Sequence, residues 1–381
     1  MACKIDIKKA FETLCWDFLL NVLRVVRYSD RFINWIDIIL RSARLSILYN
    51  GQLYGCFACS RGVRQGDSLS PILFGIAEDA LSKLFHNCVG SGHLAPMPLQ
   101  RGVSFPTHLL YVDDILVFCI ASVSNAETLH RIFEYYGLIS GHIVSKEKSQ
   151  VLFFDRVPPH TRRLIARCLD FSKGTFPFIY LGVPIFRGKV WAYHLRAIHD
   201  RILDKFSRWK GLHLSMAGRI CLVKIVIQSS ITHSMMIYCW PRSLLKELDS
   251  KCRNFIWKGD VNKKPTCSVS WARLCAIKEE GGLGIRSFTL MNKCFLMKLA
   301  WRVTDGQSFG FDIIHARYLT RCCKVRSQAL TSMIWLGLRQ EVAGLVHDSY
   351  SYIGDSASTR FWTDDWLGYR LVDKCDIPYF M

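Results

Sequence analysis

Two adjacent carboxylates, Asp113 and Asp114, interrupt an otherwise apolar and β-branched run from Leu109 to Phe118. Strand-forming residues on both sides of the turn-tolerant pair predict two short strands joined by a tight hairpin at Asp113 and Asp114. Like charges at a hairpin tip repel each other, whereas a divalent cation takes carboxylate oxygens as ligands, and paired cations bridge phosphate oxygens in nucleotidyl transfer. By itself the pair fits either such a metal site or a solvated surface turn.

A third carboxylate, Asp6, lies at the end of a short predicted strand, Cys3 to Ile7, after which the pattern becomes helical. Three carboxylates at the ends of adjacent strands are enough to hold two metal ions. This second acidic position therefore favours the metal site over the plain turn.

Helical periodicity predicts one helix from Lys8 to Arg27 and a second from Arg31 to Ser42. Asn50-Gly51, between two strand-like runs, is the strongest short hairpin signal in the sequence. Ser70-Pro71 is expected to open a helix, with Ser70 as the N-cap. A capping box at Ser124 to Glu127 is expected to begin another helix that ends at Gly137.

Three blocks of sequence resemble, in order and spacing, the reverse transcriptase of LINE-type (non-LTR) retrotransposons, especially those of plants. They are Asp6 to Phe11, Arg61 to Pro71 and Tyr111 to Asp114. The resemblance extends from Cys3 to about Gly284 and is weaker beyond. It implies an α+β fold: a palm of antiparallel sheet with packed helices over residues 1–185, a helical thumb over 186–260 and a mainly helical post-thumb region over 261–381.

The resemblance implies an RNA-directed DNA polymerase that transfers a nucleotide from a dNTP to a primer 3′-hydroxyl with two Mg²⁺ ions, or Mn²⁺ in their place. Asp6, Asp113 and one carboxylate nearby would hold the ions. Asp114 is the less certain ligand, because alternation along a regular strand would turn one of two adjacent side chains away. Lys148 matches a basic residue near the leaving phosphate. Phe11 matches a bulky residue that obstructs a ribose 2′-hydroxyl, and plain core packing is the alternative for it.

The loop from Arg61 to Asp67 is polar, basic and punctuated by glycine, and it leads to the N-terminus of the helix opened by Ser70-Pro71. Unpaired N–H groups and the helix dipole attract anions to such a position. The resemblance assigns Arg64, Gln65 and Gly66 to the floor under the incoming nucleotide and template. A well-capped helix start is the structural alternative.

Two later regions are predicted to contact nucleic acid. Phe178 to Pro184 resembles the family's turn that supports the primer terminus, which implies this role for Tyr180, Leu181 and Gly182. From about Val190 to Gly259 the pattern is helical and basic, as expected for a thumb that binds phosphates without base specificity. The candidate contacts there are Lys205, Arg208, Trp209, Lys210 and Arg219. For any single lysine, a solvated face of a helical bundle is the alternative.

Composition is consistent with a polyanionic partner. The chain of 381 residues has 50 Lys and Arg against 31 Asp and Glu, and its formal net charge is +19, which favours nucleic acid over a membrane as the partner. A hydrophobic content of 50% excludes a disordered chain, and the length predicts two or three domains. Sixteen cysteines, mostly in apolar stretches, indicate free thiols of an intracellular protein. No run of apolar residues is long enough to predict a transmembrane helix.

The expected partners are an RNA template, a DNA primer and a dNTP, without a membrane; the sequence leaves the oligomeric state open. Because Asp6 lies close to the start, we expect the family's fingers and endonuclease to be missing, as in a truncated copy whose activity stays open. The alternative function is a non-catalytic RNA- or DNA-binding remnant that uses the basic thumb. Group II intron maturases and telomerase, which have the same palm, are a more distant alternative. The nucleus is the expected location, with an RNA–protein complex in the cytoplasm.

Overall fold

The computed structural model describes residues 1–98, 105–209, 211–263, 269–305, 310–320, 325–326, 332–349, 353, 359, 361–362, 364–369 and 371–374. The chain divides into two compact units, Met1–Thr175 and Phe176–Met381. None of the helices in these ranges is long and apolar enough to cross a lipid bilayer.

The first unit is an α+β unit of eight strands and six helices in its described part. In chain order they are β1 (Ala2–Lys8), α1 (Ala10–Thr13), α2 (Trp16–Val25), α3 (Asp30–Arg41), β2 (Arg44–Tyr49), β3 (Gln52–Ala58), α4 (Ser70–Gly90), β4 (His108–Tyr111), β5 (Asp114–Phe118), α5 (Val123–Ser140), β6 (Ile143–Val144), β7 (Gln150–Leu152), α6 (Pro159–Leu169) and β8 (Ser172–Lys173). The predicted second helix and the Asn50-Gly51 hairpin are confirmed as α3 and β2–β3.

The main sheet of this unit is built around β1. Its strand order is β4-β5-β1-β7-β8, with β6 also paired to β1, and the β7–β8 pair alone is parallel among the pairs described. Cys3, Ile5 and Ile7 of β1 are buried in a core shared with α2, α4 and α5, whereas Lys4 and Asp6 are half-buried on the other face. The alternation of β1 therefore separates a packed face from a face that is open for chemistry.

The prediction of one helix from Lys8 to Arg27 is wrong. The strand β1 continues to Lys8, Lys9 adopts a left-handed conformation at φ 48°, and α1 is a single turn before extended Leu14. Distant backbone groups bond to the chain at the break: the Gly62 N–H donates to the Leu14 carbonyl at 2.7 Å, and the Cys15 N–H donates to the Ser140 carbonyl at 2.8 Å. These tertiary hydrogen bonds outweigh the local helical periodicity.

Three predicted helix ends are also wrong. The helix α4 has Leu69 rather than Ser70 as its N-cap, because the Asp67 carboxylate accepts a hydrogen bond from the Leu69 N–H at 3.0 Å. The helix α5 begins after Ser122, whose hydroxyl accepts from the Asn125 N–H, and it continues through Gly137 to end at left-handed Gly141. The two helix starts are set by capping partners outside the predicted motifs, and the end of α5 is set by the left-handed Gly141.

The second unit is mainly helical. Its elements are β9 (Phe178–Tyr180), β10 (Val183–Ile185), α7 (Ala192–Arg208), a 3₁₀ turn (Gly211–His213), α8 (Met216–Leu222), a π-helical segment (Val223–Ile227), α9 (Gln228–Met235), α10 (Arg242–Lys258), α11 (Trp271–Leu274), a 3₁₀ turn (Lys278–Glu280), α12 (Phe288–Asp305), α13 (Phe311–Tyr318), α14 (Trp335–Asp348) and α15 (Leu371–Lys374). One core packs α7, α9 and α10 together with β10, and a smaller core joins α12, α13 and α14. The helical character predicted between Val190 and Gly259 is confirmed.

Candidate active site

The acidic site is assembled by the pairing of β1 with β5. In this antiparallel pair Asp6 lies directly opposite Asp114, and side chains of directly opposed residues share one face of a sheet. The Asp6 and Asp114 side chains therefore lie on the same half-exposed face. Strand pairing thus brings together two of the three predicted carboxylates, although they are far apart in sequence.

The hairpin turn lies one residue earlier than the sequence predicts. Tyr111 pairs with Asp114, so the turn residues are Val112 and Asp113, and Asp114 is already the first residue of β5. The prediction of a turn at Asp113 and Asp114 is wrong because Asp114 is held in the ladder by neighbours on both sides. Asp113 remains close to β1, since its carbonyl accepts a hydrogen bond from the Ile7 N–H at 3.2 Å.

Asp6 is the most enclosed of the three carboxylates. Its side chain is 16% exposed, and its Oδ2 atom is buried without a hydrogen bond from the described part of the chain. The Lys148 ammonium, on a side chain that is 72% exposed, lies 3.4 Å from this oxygen as an ion pair. The Asp6 backbone is fixed as well, because its N–H donates to the Ser149 hydroxyl and its carbonyl accepts from the Ser145 N–H. Lys148 is therefore placed at the Asp6 carboxylate.

The surroundings of Asp114 show that the charged groups interact. Burial raises the pKa of Asp114; the Lys4 ammonium opposes this shift, and the negative charges of Asp113 and Asp6 add to it. Lys4 lies 3.9 Å from the Asp114 carboxylate. Sequence reasoning missed Lys4, although its position two residues before Asp6 on a strand places it on the same face.

The donor set fits a divalent cation. Mg²⁺ prefers carboxylate oxygens, and the site offers two carboxylates on one face, one of them with a buried oxygen that accepts no hydrogen bond from any described residue. Within the described ranges, no group of three or more His, Cys, Asp or Glu side chains stands close enough together to hold an ion as the side chains are placed. The fit therefore rests on the paired carboxylates, with Asp113 in the adjoining turn.

Phe11 lies on α1, the short turn that follows β1. Its half-buried ring stacks on Phe74 of α4, with ring centroids 4.7 Å apart and an interplanar angle of 17°. The Phe11 carbonyl accepts a hydrogen bond from the Val63 N–H at 2.7 Å. The ring is thus partly in the core and partly accessible, so both of its predicted roles are compatible with its position.

The loop before α4 is joined to the Phe11 turn. Val63 and Gly62 donate their N–H groups to this turn, and a Cβ on Gly62 would lie 2.5 Å from the Glu12 carbonyl, so the close approach requires glycine here. Arg64, Gln65 and Gly66 follow on the exposed surface. Arg64 and Gln65 line a cavity of about 550 Å³ with further residues that include Glu12, Leu40, Arg61, Asp67 and Leu73. The loop therefore presents polar groups beside a recess of ligand size.

The residues predicted to support the primer lie in the second unit. Leu181 and Gly182 form the two-residue turn between β9 and β10, with φ angles of 47° and 78°, and Tyr180 pairs with Val183 at its base. A left-handed conformation at Leu181 is strained for a residue with a γ-branched side chain. The structure places these three residues together at one hairpin tip.

The five predicted thumb contacts differ in their surroundings. Lys205 donates to the Ser230 hydroxyl at 2.6 Å, and Arg219 donates to the Leu214 and Ile256 carbonyls. Trp209 is half-buried against Phe206 and Phe255. Arg208 is exposed, whereas Lys210 lies outside the described residues. Lys205, Trp209 and Arg219 thus take part in the packing of the second unit.

Comparison with known proteins relates the first half of the chain to one protein family. Residues 1–185 match the family model described as reverse transcriptase (RNA-dependent DNA polymerase). The chain is 29% identical over 200 residues to a protein of Arabidopsis thaliana named for ribonuclease H, a match that covers 51% of this chain and 32% of that protein. It is 28% identical over 110 residues to the Pol polyprotein of the type-1 retrotransposable element R2 from Popillia japonica, which covers 29% of this chain and 18% of the polyprotein.

Two further matches are more distant. The 149 kDa protein of transposon TX1 from Xenopus laevis is 23% identical over 263 residues, which cover 67% of this chain and 19% of that protein. A solved telomerase structure from Candida albicans aligns with 84% of this chain and 49% of its own at 13% identity and a TM-score of 0.38, a likeness too low to support an argument. The chain spans about a third or less of the length of these three sequence relatives.

Proposed function

Because residues 1–185 match the reverse transcriptase family model and parts of the chain are similar to Pol polyproteins of R2 retrotransposable elements, we propose that the chain carries a non-LTR reverse transcriptase domain and extends the 3′-hydroxyl of a DNA primer with dNTPs on an RNA template. The observation that carries this proposal is the pairing of Asp6 opposite Asp114, with Asp113 in the adjoining turn. This arrangement supports a carboxylate site for nucleotidyl transfer on the open face of the sheet.

Reverse transcriptases generally use divalent metals, and we propose Asp6, Asp113 and Asp114 as the residues that would hold two Mg²⁺ ions, with Mn²⁺ as the alternative. When bound, the ions would lower the pKa of the primer hydroxyl and neutralise charge on the triphosphate. Lys148, as an exposed ammonium beside Asp6, would attract the leaving pyrophosphate and can supply a proton to it. Phe11 would narrow the space beside C2′ of the incoming sugar.

The remaining assignments belong to the same proposal. Arg64, Gln65 and Gly66 would line the nucleotide and template floor, and Tyr180 to Gly182 would support the primer terminus. We propose palm, thumb and post-thumb boundaries at residues 185 and 260. Among the predicted thumb contacts that the structure describes, Arg208 is the exposed cation and would reach phosphate. Such synthesis would take place in the nucleus, on an RNA that arrives from the cytoplasm as an RNA–protein complex.

The direct test is extension of a DNA primer on an RNA template by the purified chain with Mg²⁺. Asp6→Asn and Asp113→Ala are expected to reduce extension by at least about a hundred-fold, since changes at residues that merely support metal ligands already cost about 10- to 100-fold. Asp79→Asn is the matched control, because Asp79 is an exposed acid paired with Lys83 on α4. Salt-dependent RNA binding without extension, unaffected by Mg²⁺ or by Asp113→Ala, would contradict the proposal and indicate a binding protein.

Lys148 has its own control two residues away. Lys148→Ala is expected to slow extension by about ten-fold, as loss of one charge-assisted contact to the leaving group. Lys146, whose ammonium pairs with Asp170 at 2.8 Å instead of Asp6, should tolerate the same change. Equal losses in both variants would show that general charge, rather than the position beside Asp6, matters.

A further inference from the structure

The turn that carries Phe11 is held by hydrogen bonds from outside it. The helix α1 is only four residues long, and a helix of that length leaves its last carbonyls without partners of its own. Val63 and Gly62 donate backbone N–H groups to the Phe11 and Leu14 carbonyls. The Ala10 carbonyl is the exception, since its partner is a side chain: Nε2 of His142, at 3.0 Å.

His142 is buried and its ring is enclosed by aromatic side chains. It is 4% exposed, and its ring centroid lies 5.7 Å from that of Phe74 and 5.6 Å from that of Tyr136. Phe74 is also the ring on which Phe11 stacks. His142 therefore acts on Phe11 by two routes, through the Ala10 carbonyl one residue earlier in the chain and through the Phe74 ring.

The hydrogen bond fixes the tautomer of His142. A carbonyl oxygen only accepts, so Nε2 must carry the proton and Nδ1 must be the bare nitrogen. No described residue forms a hydrogen bond to Nδ1, which lies 3.9 Å from the buried Glu78 carboxylate. Burial lowers the pKa of His142 to about 4, so the ring is neutral around pH 7 and the same nitrogen donates throughout.

We propose that His142 is a positioning residue for sugar selection: by holding the Ala10 carbonyl and the Phe74 ring, it fixes the Phe11 ring against the sugar of the incoming nucleotide. The inference rests on the proposed function, in which Phe11 obstructs a ribose 2′-hydroxyl. Loss of the Nε2 donor would release the turn, and the Phe11 ring would then exclude rNTPs less well. The rate of dNTP incorporation would change by a smaller factor than the dNTP-to-rNTP ratio, because the carboxylates on β1 and β5 keep their places.

The test compares the ratio of dNTP to rNTP incorporation in four variants. His142→Leu places an apolar side chain in the buried position and removes the donor, and it should lower the ratio by about five-fold, which corresponds to ~1 kcal/mol. His142→Gln retains an N–H donor and should stay within about two-fold of the wild-type ratio. His130→Leu is the control, because His130 lies on α5, which precedes His142 in the chain, but pairs with Glu134 on the surface. Phe11→Ala shows how far the ratio falls when the Phe11 ring is absent, and this value is the reference for the other variants.

A structural role alone would lower both incorporation rates together and leave the ratio unchanged. An unchanged ratio in His142→Leu, with a changed ratio in Phe11→Ala, would overturn the inference. Equal effects of His142→Leu and His142→Gln would overturn it too, because the donor would then be irrelevant. If His142→Leu does not fold, His142→Gln and the spectra described next decide.

Nuclear magnetic resonance separates this inference from the proposed function, because it needs no activity. The ¹⁵N shifts of His142 should report a proton on Nε2 from pH 5 to 9, and the Phe11 ring signals should move in His142→Leu but not in His142→Gln. If the wild-type chain extends no primer, the proposed function fails, and these spectra still test the positioning. A proton on Nδ1, or unmoved Phe11 signals in His142→Leu, would overturn the inference.

Discussion

The two hairpins of the first unit differ in how strongly their sequences predict a turn and in how deeply their strands are buried. The β2–β3 hairpin has the better turn, Asn50-Gly51, yet both of its strands are exposed along their whole length. The β4–β5 hairpin turns at Val112 and Asp113, a poor turn by sequence, yet Ile115 and Val117 at its centre are 0% exposed. A good turn forms a hairpin, but it does not place that hairpin in the core.

The difference comes from a third strand. All five residues of β5, from Asp114 to Phe118, pair with β1, whereas β2 and β3 pair with each other alone among the described strands. A hairpin with a sheet partner has a buried face and a fixed register, and a register error of one residue would move its side chains to the wrong face. The carboxylates are thus positioned by pairing with β1 rather than by turn chemistry.

The largest expected effect comes from removing the acid that this pairing positions. Asp114→Asn should lower primer extension at least about a hundred-fold, because the residue lies directly opposite Asp6. Asn50→Ala, at the tip of the other hairpin, should leave extension within about two-fold. Steady-state extension rates measure both, and an active Asp114→Asn variant would mean that the register does not define the site.

Truncation of one side chain in each hairpin should have the next largest effect, a difference in the free energy of unfolding. Ile115→Ala is expected to lower the free energy of unfolding by about 2 to 5 kcal/mol, because a buried isoleucine leaves a cavity. Leu53→Ala in β3, where the side chain is 74% exposed, should change it by no more than about 0.5 kcal/mol. Urea denaturation measures both, and comparable losses would show that β3 is covered in solution.

The free energy of unfolding should also depend on pH, because the core of the first unit contains a buried carboxyl group. Burial raises the pKa of Glu78 on α4 to about 7 from an ordinary 4.5, so between these values the folded state binds the proton more tightly than the unfolded state. The free energy of unfolding should therefore fall as pH rises from about 4.5 to 7, by about 1 to 3 kcal/mol for this group. Glu78→Gln should remove that slope.

His142, whose pKa is lowered, contributes the opposite slope below about pH 6.5 in both proteins. The difference between wild type and Glu78→Gln in urea unfolding across this range therefore isolates Glu78. A pH-independent difference would show that Glu78 is not protonated in the folded state.

The smallest expected effect concerns the two turns. Val112 has φ 54°, a left-handed conformation that is costly for a β-branched residue. Val112→Asn should raise the free energy of unfolding by about 0.5 to 1 kcal/mol, because Asn tolerates this region. Gly51→Ala, at φ 79°, should lower it by about the same amount. Thermal unfolding measures both, and destabilisation by Val112→Asn would show that the valine side chain makes a contact worth more than the strain.

Sequence reasoning found the features that local signals encode. The β1 strand, the acidic hairpin, α3 and the β2–β3 hairpin each depend on alternation, periodicity or turn residues within a short window. The ordered blocks around Asp6, Gly66 and Asp113 then carry the resemblance to reverse transcriptases, whose family model matches residues 1–185. Those signals are present in the order of the residues, before any tertiary contact forms.

The features that sequence reasoning missed depend on partners distant in the chain. The break between Lys9 and Cys15 is held by carbonyls and N–H groups of other segments, and no local pattern reports them. The direct opposition of Asp6 and Asp114 follows from a register that neither strand specifies alone. Lys4 could have been found from its spacing to Asp6, whereas the engagement of Arg219 by two backbone carbonyls could not.

Two glycines touch the turn that carries Phe11, and they make it intolerant of variation. A Cβ at Gly62 would lie 2.5 Å from the Glu12 carbonyl, and a Cβ at Gly141 would lie 2.7 Å from the Thr13 carbonyl. In a saturation-mutagenesis library selected for function, we expect both codons to return as glycine only. Such a library would map the outline of the turn from survival counts alone, without spectroscopy or coordinates.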